Sequence, residues 1–221
     1  MIVPLWIMRS FQEFLLFFLL ILPFVACNHT LENEGVKNRT MQINDSIDIL
    51  YQEIQEGDLA LRLGNDITSN MLAALNTKDK RFSHIGICFV ENNEKIIYHI
   101  IGGEGNNQDY LLKVPLDTFF NINSNLSFGY AQTNFSNEEK NKLHEILKKW
   151  YQAKIAFDLN FDLNTNDKMY CSELVAKALE HSKEGLKIPI TDTFKERYIG
   201  IDNIIDNAFV KQVFYIKKVL Q

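Results

Sequence analysis

The sequence predicts an α+β domain in which an antiparallel sheet packs against helices. Three observations predict it. A hairpin pattern spans residues 82–101, with a polar turn at its centre. Amphipathic helical stripes recur at 136–152 and 172–182. Helices and strands follow one another without the regular strand–helix–strand rhythm of a parallel sheet. The 221 residues are 46% hydrophobic and 23% charged, which excludes a disordered, collagen-like or disulfide-scaffold chain. Twenty-three Lys and Arg face 28 Asp and Glu, for a net charge of −5. That balance argues against a nucleic-acid partner, which calls for a basic patch.

The elements follow in order. Ser46 to Glu56 carries apolar residues at 47, 49, 50 and 54 and reads as a helix, stopped by Gly57-Asp58. LALRL at 59–63 reads as a short buried strand, and Asp66 to Thr77 as a second short helix. Phe82–Val90 and Lys95–Ile101 read as strands joined by Glu91-Asn92-Asn93-Glu94. GGEGNN at 102–107 is a loop, and Leu126–Gln132 another strand. Ser136 and Glu139 have capping-box spacing, and Leu143, Ile146, Leu147 and Trp150 share one helical face. A polar-aromatic connection without period, FDLNFDLNTNDKMY, leads into a helix striped by Leu174, Val175, Ala178 and Leu179. Residues 183–208 read as irregular or partly helical, and 208–220 as a closing strand.

The first residues stand apart. Phe14 to Ala26 is an uncharged apolar run of 13 residues, too short for the ~18 or more of a membrane-spanning helix. Arg9 precedes it, and small Ala26 and Cys27 close it. Residues 1–26 read as a signal peptide. FVAC resembles a bacterial lipobox, in which Cys27 receives lipid. Residues 27–44 then form a lipidated polar tether, and 45–221 the domain. The expected location is a bacterial cell-envelope membrane, reached by export and held by the lipid.

Cys88 and Cys171 remain. Cys171 falls at the first turn of an amphipathic helix, where unpaired N–H groups and the helix dipole favour a thiolate. A thiolate is the nucleophile of acyl transfer, and the Cys171 N–H is placed to help bind an oxyanion. The plainer readings are a small buried hydrophobe or a Cys88–Cys171 disulfide. Cys88, in the apolar string IGICFV, reads as core.

A thiol needs a base. His29 lies in the tether, and His144 and His181 lie among charged helix residues. His84 and His99 flank the hairpin. If Glu91 pairs with Glu94, Gly86 faces His99, and His84, Gly86 and His99 share one face. The two imidazoles then become diagonal neighbours across an open glycine. A zinc site from His84, His99 and Cys171 has no supporting CxxC or HExxH. No glycine-rich turn opens a helix after a strand, so no nucleotide site is indicated.

Three pieces, EGDLALRLG at 56–64, RFSHIGICFV at 81–90 with YHIIGG at 98–103, and FDLNFDLNTNDKMYCSELV at 157–175, stand in that order. They resemble the permuted papain-like cysteine hydrolases of the YiiX/YebB type, in the NlpC-like superfamily. The resemblance implies a circularly permuted papain-like fold in which the base comes first, on a strand, and the nucleophile later, at a helix start. It matches His84 to the base and Cys171 to the nucleophile. His99 stands where many such proteins carry Glu as the orienting residue, with Glu104 as the alternative. Tyr170, Glu173 and Asp58 are further candidates to line the site. Asp58 also reads as a brace for its loop, and Glu173 as a favourable charge at the helix start.

The expected activity is hydrolysis of an amide (a peptide, cell-wall peptide or N-acyl amide) by a membrane-tethered cysteine peptidase or amidase, without metal or organic cofactor. The alternatives are a lipid acyltransferase or thioesterase using the same site, and a non-catalytic binding lipoprotein.

Overall fold

The computed structural model describes residues 47–102, 109–193 and 196–218. The signal peptide, Cys27, the tether, His29 and Glu104 lie outside the described residues. Six strands form an antiparallel sheet in the order β10-β5-β1-β2-β3-β4. They are β1 (Leu59–Gly64), β2 (His84–Glu91), β3 (Glu94–Ile100), β4 (Leu111–Pro115), β5 (Asn125–Thr133) and β10 (Val210–Lys217). Two two-stranded ribbons are added, β6 (Ala156–Phe157) with β7 (Lys168–Met169), and β8 (Thr191–Asp192) with β9 (Arg197–Tyr198). The helices are α1 (47–53), α2 (Ile67–Leu75), α3 (Leu116–Phe119), α4 (Asn137–Gln152), α5 (Cys171–Ser182) and α6 (Ile201–Ile205). Among the described residues no helix is long and apolar enough to cross a membrane.

The hairpin has the register its turn demands. Glu91 pairs with Glu94 and Ile87 with Tyr98, while Asn92 and Asn93 both take positive φ, as a tight primed turn requires. Period-two alternation then divides β2 and β3 between the two sides of the sheet. Ile85, Ile87, Phe89, Tyr98 and Ile100 enter the main core with Leu143 and Leu147 of α4 and Leu174, Val175, Ala178 and Leu179 of α5. His84, Gly86, Cys88 and His99 take the other side, where α3 covers the two imidazoles with Phe119.

Helix α4 begins with the predicted capping box. The Ser136 hydroxyl accepts the Glu139 N–H and the Glu139 carboxylate accepts the Ser136 N–H. Helix α5 begins by a related device. Tyr170 stands at its N-cap, and Glu173 reaches back to accept the Tyr170 N–H at 3.2 Å. This fixes Cys171 as the first helical residue. The sequence reading skipped β4 and α3, because LLKVPLDTFF is short and shows neither period clearly.

Candidate active site

His84 opens β2 and His99 nearly closes β3, so the antiparallel pairing brings both to one end of the sheet. His84 Nε2 lies 2.9 Å from His99 Nδ1, and the rings meet edge to face. Gly86 makes this approach possible. A Cβ there would meet Ile97 Cγ2 at 2.5 Å, the Tyr98 carbonyl at 2.8 Å and His99 Cβ at 3.1 Å. Phe119 packs on both imidazoles, and the Arg62 guanidinium lies 5.0 Å from the centre of the same ring. The histidine pair is therefore dry on one side and faces a cation.

That setting controls protonation. Burial, then Arg62, then His99 push the His84 pKa well below the usual histidine value. Burial and Arg62 push His99 down to about 3. Both rings are neutral at pH 7. His99 Nε2 is buried and has no hydrogen-bond partner among the described residues.

Cys171 is half-buried and free, as is buried Cys88. The backbone N–H groups of Ser172, Ile85 and Cys171 itself, and the Ser172 side chain, favour its thiolate. Ile85 follows His84, so the thiol stands against the start of β2. Among the described residues no thiol–imidazole hydrogen bond forms; such contacts commonly tighten only when substrate binds. Burial outweighs these groups and raises the Cys171 pKa, which reverses the lowering expected from the helix N-terminus alone. Cys88 is a core residue with its thiol pushed up to about 12 by burial, and no disulfide links the two.

The other candidates separate. The Tyr170 ring lies beside Cys171 in one narrow pocket, and its hydroxyl accepts the Ile199 N–H at 2.7 Å. Ser172 Oγ donates to the Ile199 carbonyl at 2.7 Å, so the start of α5 is pinned to the segment before α6. Glu173 does not face a substrate: it is fully buried, held by the Tyr170 N–H and by Lys177 at 2.8 Å. Asp58 is a brace. Its carboxylate accepts the N–H groups of Thr133 at 3.0 Å and Gln55 at 2.9 Å. It sits at the Cys88 end of the sheet, on the order of 13 Å along β2 from His84. Burial leads the upward push on its pKa.

Sequence reasoning missed Arg62, Phe119, Asn76 and Phe161. Arg62 had a readable signal, because LALRL puts one cation inside a buried strand. Asn76 ties three segments near the thiol, accepting the Ile201 N–H at 2.8 Å and donating to the Phe82 carbonyl at 2.9 Å. Phe161 has φ of 54°, unusual for a bulky residue. Asp158 holds that loop by accepting the N–H groups of Asn160 at 2.9 Å and Asp162 at 2.5 Å. The Phe161 ring is thereby set 4.8 Å from Tyr170. Among the described residues no three His, Cys, Asp or Glu side chains are grouped as a metal site requires.

A search of curated proteins finds no match. Among solved structures, the chain is similar to the crystal structure of the metalloprotein YiiX from Escherichia coli O157:H7. The two share 17% identity at a TM-score of 0.57, over 76% of this chain and 98% of that one. At that identity the likeness speaks for the fold alone. The family model described as permuted papain-like amidase, YaeF/YiiX, C92 family, matches residues 53–203. With the His84 strand preceding the Cys171 helix, the chain belongs to the permuted papain-like amidases of the YaeF/YiiX type, a family of cysteine hydrolases.

Proposed function

We propose that the protein hydrolyses an amide through an acyl-enzyme on Cys171, with His84 as general base and His99 as the residue that orients it. The carrying observation is the 2.9 Å contact between His84 Nε2 and His99 Nδ1, with the Cys171 thiol against the backbone of Ile85, the residue after His84. Because Nε2 of His84 is committed to His99, Nδ1 is the atom left to take the thiol proton.

The thiol and imidazole both rest neutral, so proton transfer accompanies attack. The sulfur bonds to the carbonyl carbon, its proton passes to His84, and charge develops on the carbonyl oxygen. The N–H groups at the start of α5 are the donors available to that oxygen. His84 then gives its proton to the amine nitrogen as the C–N bond breaks; water attacks the thioester, the C–S bond breaks, and a water proton returns through His84 to the sulfur, leaving the acid. Tyr170 acts by holding the 199 segment against α5 rather than by donating a proton. Export and lipid attachment at Cys27 would place this chemistry at a bacterial envelope membrane; the apolar run before Cys27 supports that reading.

The test is iodoacetamide alkylation at pH 7, read by mass spectrometry at each cysteine. Cys171 is expected to react at least tenfold faster than in His84→Ala, while Cys88 stays unlabelled. Equal rates in the two proteins would overturn the thiol–imidazole pair.

A further inference from the structure

His99 has a second ring nitrogen that its contact with His84 does not use. Arg62 pairs with His84 across β1 and β2, and His99 pairs with Leu112 across β3 and β4. Partners in register share a side of the sheet, so Arg62, His84, His99, Leu112 and Val114 lie on the side that α3 covers. There they enclose, with α3, a cavity of about 150 Å³. Arg62 and His99 form its polar wall, and Ile101, Leu112, Val114 and Phe119 its apolar one. Thr118 is exposed and Val114 half-buried, so the cavity reaches the surface. None of these residues lines the pocket that contains Cys171.

The polar wall suits an anion. If His84 Nδ1 is to take the thiol proton, His84 Nε2 donates to His99 Nδ1. His99 then carries its own proton on Nε2, which is buried and has no hydrogen-bond partner among the described residues. A buried donor in that condition is costly, and an acceptor beside it removes the cost. Arg62 brings positive charge. Its Nη1 donates to Asn125 Oδ1 at 3.3 Å, and an anion adds to such contacts, since a guanidinium has five N–H donors. With burial, the Arg62 charge also disfavours protonation of both imidazoles, and an anion between them offsets that field. The carboxylate of α3, Asp117, is taken up in its own turn, where it accepts the Thr118 N–H at 2.6 Å and hydroxyl at 3.3 Å. Lys113 faces the opposite side of the sheet and pairs with Glu91 at 2.6 Å.

The apolar wall selects among anions. Ile101, Leu112 and Val114 offer hydrocarbon, which covers a short alkyl chain and leaves a strongly hydrated ion unsolvated. The volume takes a chain of a few carbons and excludes a fatty acid.

We infer that this cavity binds a short aliphatic carboxylate, its oxygens on Arg62 and His99 Nε2 and its alkyl group on Leu112 and Val114. The bound carboxylate fixes the His99 tautomer and so helps His84 receive the thiol proton. The inference rests on the thiol reading above and assigns that site an activator.

The experiment uses the full chain and sodium propionate at pH 7. Ionic strength is held with sodium gluconate, whose hydroxyls the apolar wall does not accept. Saturation-transfer NMR on the propionate methyl reads binding, and iodoacetamide alkylation of Cys171 reads the effect on the thiol. The native protein is expected to bind propionate with a dissociation constant on the order of millimolar, the range open to so few atoms. Alkylation of Cys171 is expected to rise at least ~threefold, saturating over the same concentrations. Arg62→Gln removes the charge, and Val114→Phe fills the cavity from its half-buried edge. Both are expected to lose the methyl signal and the rise, while Cys88 stays unlabelled as a mark of the folded state. Val114→Phe decides the matter where Arg62→Gln does not fold. No saturable binding of propionate, or binding that survives in Val114→Phe, would overturn the site. An equal rise with sodium chloride would overturn the carboxylate assignment. Binding without a rise, in protein whose Cys171 still depends on His84, would overturn the activating role and leave the thiol reading intact. Binding with alkylation indifferent to both propionate and His84→Ala would overturn the thiol reading and leave the carboxylate site standing.

Discussion

His84 Nε2 and His99 Nδ1 share one proton across 2.9 Å, and its position decides what the pair can do. Both rings are neutral near pH 7 because burial and Arg62 oppose their charge. If His99 donated that proton, His84 Nδ1 would carry the other one and would be unable to receive the thiol's. The working tautomer therefore has His84 donating from Nε2. His99 then carries its own proton on Nε2, the buried atom without a partner among the described residues. An unpaired buried donor costs about 1–3 kcal/mol, which makes His99 a less firm anchor than an ionised carboxylate would be.

That tautomer argument predicts the behaviour of His99 variants. His99→Ala frees His84 to rotate and to adopt the wrong tautomer, and is expected to slow Cys171 acylation by roughly 10²–10⁴-fold. His99→Glu places a carboxylate against His84 and favours the imidazolium. Alkylation of Cys171 by iodoacetamide should then extend to lower pH than in the native protein. An unshifted profile in His99→Glu would mean that position 99 does not govern His84.

The same burial predicts acid sensitivity. In the unfolded chain both histidines bind protons below pH ~6.5, while in the folded protein they stay neutral to much lower pH. The unfolded state thus binds more protons as pH falls through 6.5, and stability declines by roughly 1.4 kcal/mol per unit per histidine. Glu91, held at about 2 by Lys113, Tyr98 and His144 against the cost of burial, adds loss in the same direction below about 4.5. Urea midpoints at pH 7.5, 6 and 5 should fall steadily. The slope from pH 7.5 to 5 should be smaller in His84→Phe/His99→Leu, and an unchanged slope would place the acid-sensitive groups elsewhere.

Much of this site was legible because a hairpin converts sequence distance into geometry. One assumption, the Glu91–Glu94 turn, placed His84 and His99 on a common face, and the observed register has that turn. The helix start at Cys171 was legible from the stripe of Leu174, Val175, Ala178 and Leu179. The protonation of the site was not. It depends on Phe119 from a four-residue helix and Arg62 from another strand, and both come close only through the tertiary fold. Glu173 had two readings, a residue lining the site or a favourable charge at the helix start, and only packing, with α5 buried around it, leaves it in the second.

Gly86 offers a test of how tightly the pair is built. A methyl group there meets the backbone carbonyl of Tyr98 at 2.8 Å and Ile97 Cγ2 at 2.5 Å, inside a sheet that has no room to give. Gly86→Ala should destabilise by about 1–3 kcal/mol, as overpacking does. It should also slow acylation further than the lost folded fraction explains, because His99 Cβ lies within 3.1 Å of the new group. Native-like stability and activity together would show that the strands separate more easily than the contacts indicate.

Glu173 separates structural from substrate-facing roles at the start of α5. Its carboxylate is fully buried, accepts the Tyr170 N–H and pairs with Lys177 at 2.8 Å, while burial raises its pKa. Removing one member of such a pair leaves the other charge uncompensated, at a cost of about 3 kcal/mol. Glu173→Gln should therefore lower the urea midpoint sharply. The folded fraction should be acylated at Cys171 by p-nitrophenyl acetate with little change in the ester concentration needed for half-maximal rate. Glu173→Leu/Lys177→Met removes both charges, and is expected to recover part of the lost stability, since a well-packed apolar pair can replace a buried ionic one. A residue that met a basic substrate group would behave oppositely, weakening substrate binding while sparing stability. The two measurements on the same variants thus decide whether Glu173 sets the position of the nucleophile from within the fold or reaches into the site.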